Sequence, residues 1–221
     1  PTLTTYNATI SACEKGSQWQ RALVVLDWMG TWCEKTPEKA GLAPVRFTPD
    51  IITLNATISA CGKAQKWDKA LDLFSNLRWR RLEPTIITYN SAISACERGM
   101  KWQIAFELFA GLRQQFLEPT LITYNATVSA CGSSHEWTWA LALLSEVQAV
   151  RLTPSVISYS AVILACTGSH RWDCSLLLLE EMQGVCLQPS IMSYSNLFME
   201  MEQQNLLDQE VALLRRWGHR G

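Results

Sequence analysis

The chain has 221 residues, of which 48% are hydrophobic and 18% charged, and its formal net charge is -1. So much apolar surface excludes a disordered chain, and the near-zero charge excludes a uniformly basic surface, so any contact with a polyanion must be local. No apolar run approaches the ~18 residues needed to cross a bilayer, so no membrane is expected among the partners.

From its first residue the chain reads as an array. Pro1-Thr2-Leu3-Thr4-Thr5-Tyr6 has neither the apolar stretch of a signal peptide nor a charged leader. We therefore expect a fragment whose targeting segment, if it has one, lies upstream. Further along, Cys61, Cys96, Cys131 and Cys166 stand 35 residues apart, as do Trp67, Trp102, Trp137 and Trp172, and Pro49, Pro84, Pro119, Pro154 and Pro189. The first interval is 48 for all three markers (Cys13, Trp19, Pro1), so the first unit holds 13 extra residues. Fixed-period self-similarity is the signature of a repeat architecture. The units fall at 3–50, 51–85, 86–120, 121–155 and 156–190, followed by a truncated 191–221. The extra residues lie within 30–46, where Pro37, Gly41 and Pro44 predict a surface loop after the unit's second helix.

Each unit reads as two helices. In the third, Tyr89, Ile93 and Cys96 recur at helical spacing, after Thr88 at the expected cap position. Trp102, Ala105, Phe106, Phe109 and Leu112 then form one apolar stripe. The prolines end the second helices because they lack the amide donor and restrict the residue before them. A single hairpin cannot bury both stripes, so neighbours must stack. The predicted fold is all-α, an α-solenoid of two-helix repeats forming a right-handed superhelix, with the first helices on its inner face.

The period also settles several candidate sites. Cys13, Cys61, Cys96, Cys131 and Cys166 occupy equivalent positions about one repeat apart, beyond the ~7 Å reach of a disulfide, and are expected as small buried apolar residues. No pair has C-x-x-C spacing, and His135, His170 and His219 are scattered, so no metal is expected. The five repeat tryptophans lead the second-helix stripe and are read as core rather than as a stacking ladder. Asn7-Ala8-Thr9, Asn55-Ala56-Thr57 and Asn125-Ala126-Thr127 match the glycosylation pattern only because the unit recurs.

The strings Ile87-Thr88-Tyr89-Asn90-Ser91-Ala92-Ile93, Leu121-Ile122-Thr123-Tyr124-Asn125-Ala126-Thr127-Val128 and Leu117-Glu118-Pro119-Thr120 resemble the pentatricopeptide repeat, with its V-T-Y-N-x-L-I opening and G-x-x-P-D close. The resemblance covers nearly the whole chain. It implies sequence-specific binding of single-stranded RNA, one base per repeat. The base-reading pairs it implies are Asn7 with Asp50, Asn55 with Thr85, Asn90 with Thr120, Asn125 with Ser155, and Ser160 with Ser190, leaving Ser195 alone in the sixth unit. Amides and hydroxyls suit this task, since both donate to and accept from the edge of an unpaired base. The implied target is four pyrimidines followed by a purine, with the amino-terminal unit at the 5′ end.

Two further roles follow from the resemblance. Ile52, Ile87, Ile122 and Ile157 would sandwich bases, with Thr4 a poorer substitute in the first unit. Lys15, Lys63 and Arg98 would contact phosphate, whereas Ser133 and Gly168 hold that position in later units. Three phosphate contacts would give a log–log salt slope near about -2 for a single strand.

Family members act on transcripts of mitochondria or plastids, in processing, stability, editing or translation, so that location and other RNA-processing proteins as partners are also implied. The deaminase signature H-x-E with C-x-x-C is absent from the sequence, and we expect neither an enzyme nor a cofactor. The alternative is a protein-binding solenoid with no RNA role, which the same architecture serves.

Overall fold

The computed structural model describes residues 2–35, 48–79 and 82–203, and among these there are eleven α-helices and no strand. The chain divides into two compact units, Pro1–Pro119 and Thr120–Gly221. The first contains α1 (Leu3–Lys15), α2 (Trp19–Lys35), α3 (Ile51–Lys63), α4 (Trp67–Trp79), α5 (Ile86–Arg98) and α6 (Trp102–Gln114). The second contains α7 (Leu121–Ser133), α8 (Trp137–Ala149), α9 (Val156–Gly168), α10 (Trp172–Gly184) and α11 (Ile191–Gln203).

The residue after each repeat proline caps a first helix, which begins one residue later. Thr2, Thr85, Thr120 and Ser155 are N-caps, and each closes a capping box with the hydroxyl residue three positions on (Thr5, Thr88, Thr123, Ser158). Thr85 N, for example, donates to Thr88 Oγ1 at 3.0 Å. This corrects the expectation for Thr88, which is the inward-facing member of the box rather than the cap. Asp50 caps α3 with its carboxylate, accepting from Thr53 N at 2.8 Å.

Among the described residues, first and second helices close in the same way. Gln65, Met100, His135 and His170 adopt positive φ between 54° and 60°. The next amide then reaches back to the cysteine carbonyl, as from Lys66 to Cys61 (2.9 Å), Lys101 to Cys96 (2.9 Å) and Arg171 to Cys166 (2.8 Å). This is a left-handed C-terminal cap built without glycine at the left-handed position. The second helices end likewise at Phe116, Arg151 and Cys186.

The core is shared between repeats. In the first unit, Ile10 of α1 packs with Ala22, Val25 and Met29 of α2 and with Ala60 of α3. One repeat later, Ile58 and Cys61 pack with Ala70 of α4 and Ala95 of α5. Within the second unit, α7 lies on α8 and α9, and α9 on α10 and α11. Gly132 lets backbone approach closely there: a Cβ built on it would lie 2.6 Å from the Ala161 carbonyl oxygen.

Cys61, Cys96, Cys131 and Cys166 are fully buried. Burial pushes their thiols up, to about 11 for Cys61 and about 12 for the other three, so they stay protonated and inert. The tryptophans depart from expectation. Trp19, Trp67, Trp102, Trp137 and Trp172 are only half-buried, and the deep positions of their stripes are held by Ala70, Ala105 and Ala140. Cations from the following repeat cover three of the rings: Lys66 over Trp19 (5.8 Å), Lys101 over Trp67 (5.0 Å) and Arg171 over Trp137 (4.4 Å). An indole is too large for the interhelical gap that an alanine fills, so it straddles the edge and a neighbouring cation completes its cover.

The expected loop in 30–46 also needs correction, since α2 continues through Lys35. No proline intervenes before Pro37, so nothing local stops the helix sooner. The remainder of that stretch lies outside the described residues, as do His219 and the end of the truncated unit.

Candidate nucleic-acid interface

Positions spaced three and four apart share one face of a helix. On α3 this groups Ile52, Asn55, Ser59 and Lys63, and on α5 Ile87, Asn90, Ser94 and Arg98. The opposite face of α3 carries the buried Leu54, Ile58 and Cys61. In the second unit the corresponding rows are Ile122, Asn125, Ser129 and Ser133 on α7, and Ile157, Ser160, Leu164 and Gly168 on α9. The four isoleucines are 60–68% exposed. A large branched side chain left in water at the same place in four successive repeats contributes nothing to the core. Thr4 holds the position on α1 and is also exposed.

Beside each isoleucine the polar residue is half-buried. Asn7 is the most fully bound. Its Nδ2 donates to both carboxylate oxygens of Asp50 (3.3 and 3.5 Å), and its Oδ1 accepts from Thr53 Oγ1. Thr53 Oγ1 also lies 2.7 Å from Asp50 Oδ1. Burial works against the Asp50 charge, but hydrogen bonds from Thr53 and Asn7 outweigh it and hold the carboxyl below its ordinary range.

In the second unit Asn125 repeats the arrangement without the charge. Its Nδ2 donates to Ser155 Oγ at 3.4 Å and its Oδ1 accepts from Ser158 Oγ. Ser160 Oγ lies 3.2 Å from Ser193 Oγ, which is in turn 3.0 Å from Ser190 Oγ. Asn55 and Asn90 differ, for their Oδ1 atoms are buried without a hydrogen-bond partner among the described residues. A buried carbonyl left unpaired is costly, by about 1–3 kcal/mol, and such groups call for an explanation. Ser195 is exposed, and its hydroxyl turns back to the Ile191 carbonyl.

The structure thus gives the second member of two of the pairs two tasks. Asp50, Thr85, Thr120 and Ser155 cap their own helices, while Asp50 and Ser155 also touch the asparagine of the preceding repeat. Sequence reasoning missed the residues beneath them, Thr53 and Ser158, whose buried hydroxyls fix which way the amides of Asn7 and Asn125 point. The recurrence of Thr or Ser three residues after each cap was the available signal.

Lys15, Lys63 and Arg98 are exposed in the last turns of α1, α3 and α5, where a cation also suits the helix dipole. Lys63 is not free, because its Nζ donates to Glu14 Oε1 at 2.9 Å. The last turns of α7 and α9 hold no basic residue.

The sequence model described as the PPR repeat family matches residues 49–98, and the one described as a pentatricopeptide repeat domain matches residues 93–134. Residues 49–134 of the chain are thus made of pentatricopeptide repeats. Solved pentatricopeptide repeat structures share its fold. The maize protein PPR10 is 23% identical with a TM-score of 0.68, covering 100% of this chain and 30% of PPR10. PPR10 in complex with an 18-nt psaJ RNA element gives 22% identity and a TM-score of 0.72, covering 96% of this chain and 29% of that one. The pentatricopeptide repeat domain of Arabidopsis thaliana protein-only RNase P 1, solved with tRNA, is 12% identical with a TM-score of 0.67, covering 88% of this chain and 96% of that one. The chain therefore spans less than a third of the length of PPR10. No curated protein matches it.

Proposed function

We propose that this pentatricopeptide repeat chain binds single-stranded RNA one base per repeat, as a binding protein rather than a catalyst, within the RNA metabolism of a mitochondrion or plastid. What carries the reading is the recurrence, on the first helices, of an exposed isoleucine one turn before a half-buried amide or hydroxyl. An exposed branched side chain supplies sequence-tolerant stacking, and the polar group beside it supplies discrimination. The pairs Asn7/Asp50, Asn55/Thr85, Asn90/Thr120 and Asn125/Ser155 would read pyrimidines, the first of them uracil, and Ser160/Ser190 a purine. Ser195 would begin a further pair.

Selection of bound sequences from a randomised single-stranded RNA pool tests this directly. A pyrimidine-leaning register is expected, and Asn90→Ser should shift the third base alone toward purine, by about fivefold or more for one hydrogen bond exchanged. Unchanged selection after that substitution would sink base-by-base reading.

A second reading has one observation in its favour. On the second unit's first helices the row carries Ile157, Leu164 and Met199, exposed at 63%, 39% and 59%, with no cation. Such a face suits a protein partner. Recovery of partners that survives nuclease treatment would favour a scaffold, and nuclease-sensitive recovery would favour RNA.

A further inference from the structure

We infer that Glu14 masks Lys63 from within the protein, taking the place that a phosphodiester oxygen of the RNA backbone would otherwise hold between Ser59 and Lys63. The inference rests on the RNA reading above. A single carboxylate oxygen, Glu14 Oε1, accepts from Lys63 Nζ at 2.9 Å and from Ser59 Oγ at 2.8 Å. An ammonium and a hydroxyl converging on one anionic oxygen is the donor set that a phosphate oxygen would take. Both donors lie on the face of α3 that carries Ile52 and Asn55, one and two turns beyond the asparagine, along the line a bound strand would follow.

Nothing in α1 itself requires an acid here. Glu14 sits in the last turn, where a negative charge opposes the helix dipole. Its counterparts on α3 and α7 are Gly62 and Gly132, each buried against the following first helix, and on α5 Glu97. The Glu14 carboxylate is compensated by the next repeat instead. With side-chain exposures of 36% for Lys63 and 23% for Glu14, the pair is only partly screened, so an incoming phosphate must first displace the carboxylate.

The consequence is an altered count of backbone contacts. Lys15 and Arg98 have no ion-pair partner among the described residues, whereas Lys63 is already neutralised. Glu97, beside Arg98, is half-buried, and burial raises its carboxyl. Binding should therefore release counterions for two phosphates rather than three, a log–log salt slope near about -1.4 instead of about -2.1.

The test measures affinity of the 221-residue chain for a pyrimidine-only single-stranded RNA across a salt series, for wild type, Glu14→Gln and the double variant Glu14→Gln/Lys63→Gln. Glu14→Gln should steepen the slope by about 0.7, so its advantage over wild type grows about 2.6-fold between 200 and 50 mM salt. The double variant should return the slope to the wild-type value. Equal slopes for wild type and Glu14→Gln, with both binding RNA, would overturn the inference while leaving the RNA reading in place. If none of the three binds RNA, the RNA reading falls and this inference with it.

Discussion

The two compact units use the same backbone devices and present different chemistry. In the first, α3 and α5 end in Lys63 and Arg98 and one cap is the carboxylate Asp50. In the second, α7 and α9 end in Ser133 and Gly168 and the caps are the neutral Thr120 and Ser155. The cysteine carbonyl closes the first helix in both, the box hydroxyl opens it in both, and a half-buried tryptophan begins the second helix in both. The devices that close the hairpin are thus common to both units, while the charge of the caps and of the last turns differs between them.

The largest difference expected between the units concerns packing. Gly62 and Gly132 occupy the same place in their repeats, but a Cβ on Gly62 meets the Ala95 side chain at 3.0 Å, whereas one on Gly132 meets backbone at 2.6 Å. Glycine in a helix interior costs ~1 kcal/mol relative to alanine, so Gly62→Ala balances that gain against a mild squeeze and should fall within ~1 kcal/mol of wild type. At Gly132 the carbonyl cannot move without shifting α9, and Gly132→Ala should lose ~2 kcal/mol net. Urea unfolding of the two variants checks this, and equal midpoints would show that the helices separate at no cost.

Much of this was legible in the sequence, because period, capping residues and apolar stripes are local or repeat exactly once per unit. The cap register was off by three, since Thr85 and Thr88 are chemically alike and only the backbone shows which precedes the helix. The half-exposed tryptophans escaped because periodicity shows which face a residue lies on but not how deep that face goes. The Glu14–Lys63 pair spans 49 residues, and aligning repeats sets Glu14 beside Gly62 rather than beside Lys63. Stacking geometry, not period, brings the two together. The same holds for Thr53 beneath Asn7.

The difference in charge suggests a gain-of-function experiment of intermediate size. Ser133 is the counterpart of Lys63 and Arg98 at the end of α7, and it is half-buried at the surface. Ser133→Lys should give the second unit the backbone contact it lacks, steepening the salt slope of RNA binding by about 0.7 and tightening binding severalfold at low salt. The added cation also falls in a helix's last turn, so stability should not suffer. An unaltered slope, with RNA still bound, would mean that the strand does not pass the end of α7.

The smallest effect separates the caps by pH. Asp50 is ionised and hydrogen-bonded in the folded chain, so its folded pKa lies below the unfolded value, and the folded state gives up its proton more readily. The stability it contributes is complete above the unfolded pKa of about 3.9 and disappears as pH falls through the folded value. Thr120 and Ser155 carry no such dependence. Asp50→Ser, which copies the neutral cap of the second unit, should leave the helix capped and flatten the fall in urea midpoint between about pH 6 and pH 3, by a few tenths of a kcal/mol at most for a group so accessible to water. Because the same carboxylate holds Asn7 Nδ2, the variant should also relax any uracil preference of the first repeat. A midpoint profile identical to wild type would show that acid sensitivity arises elsewhere; a flattened profile with base preference intact would assign the carboxylate to capping alone.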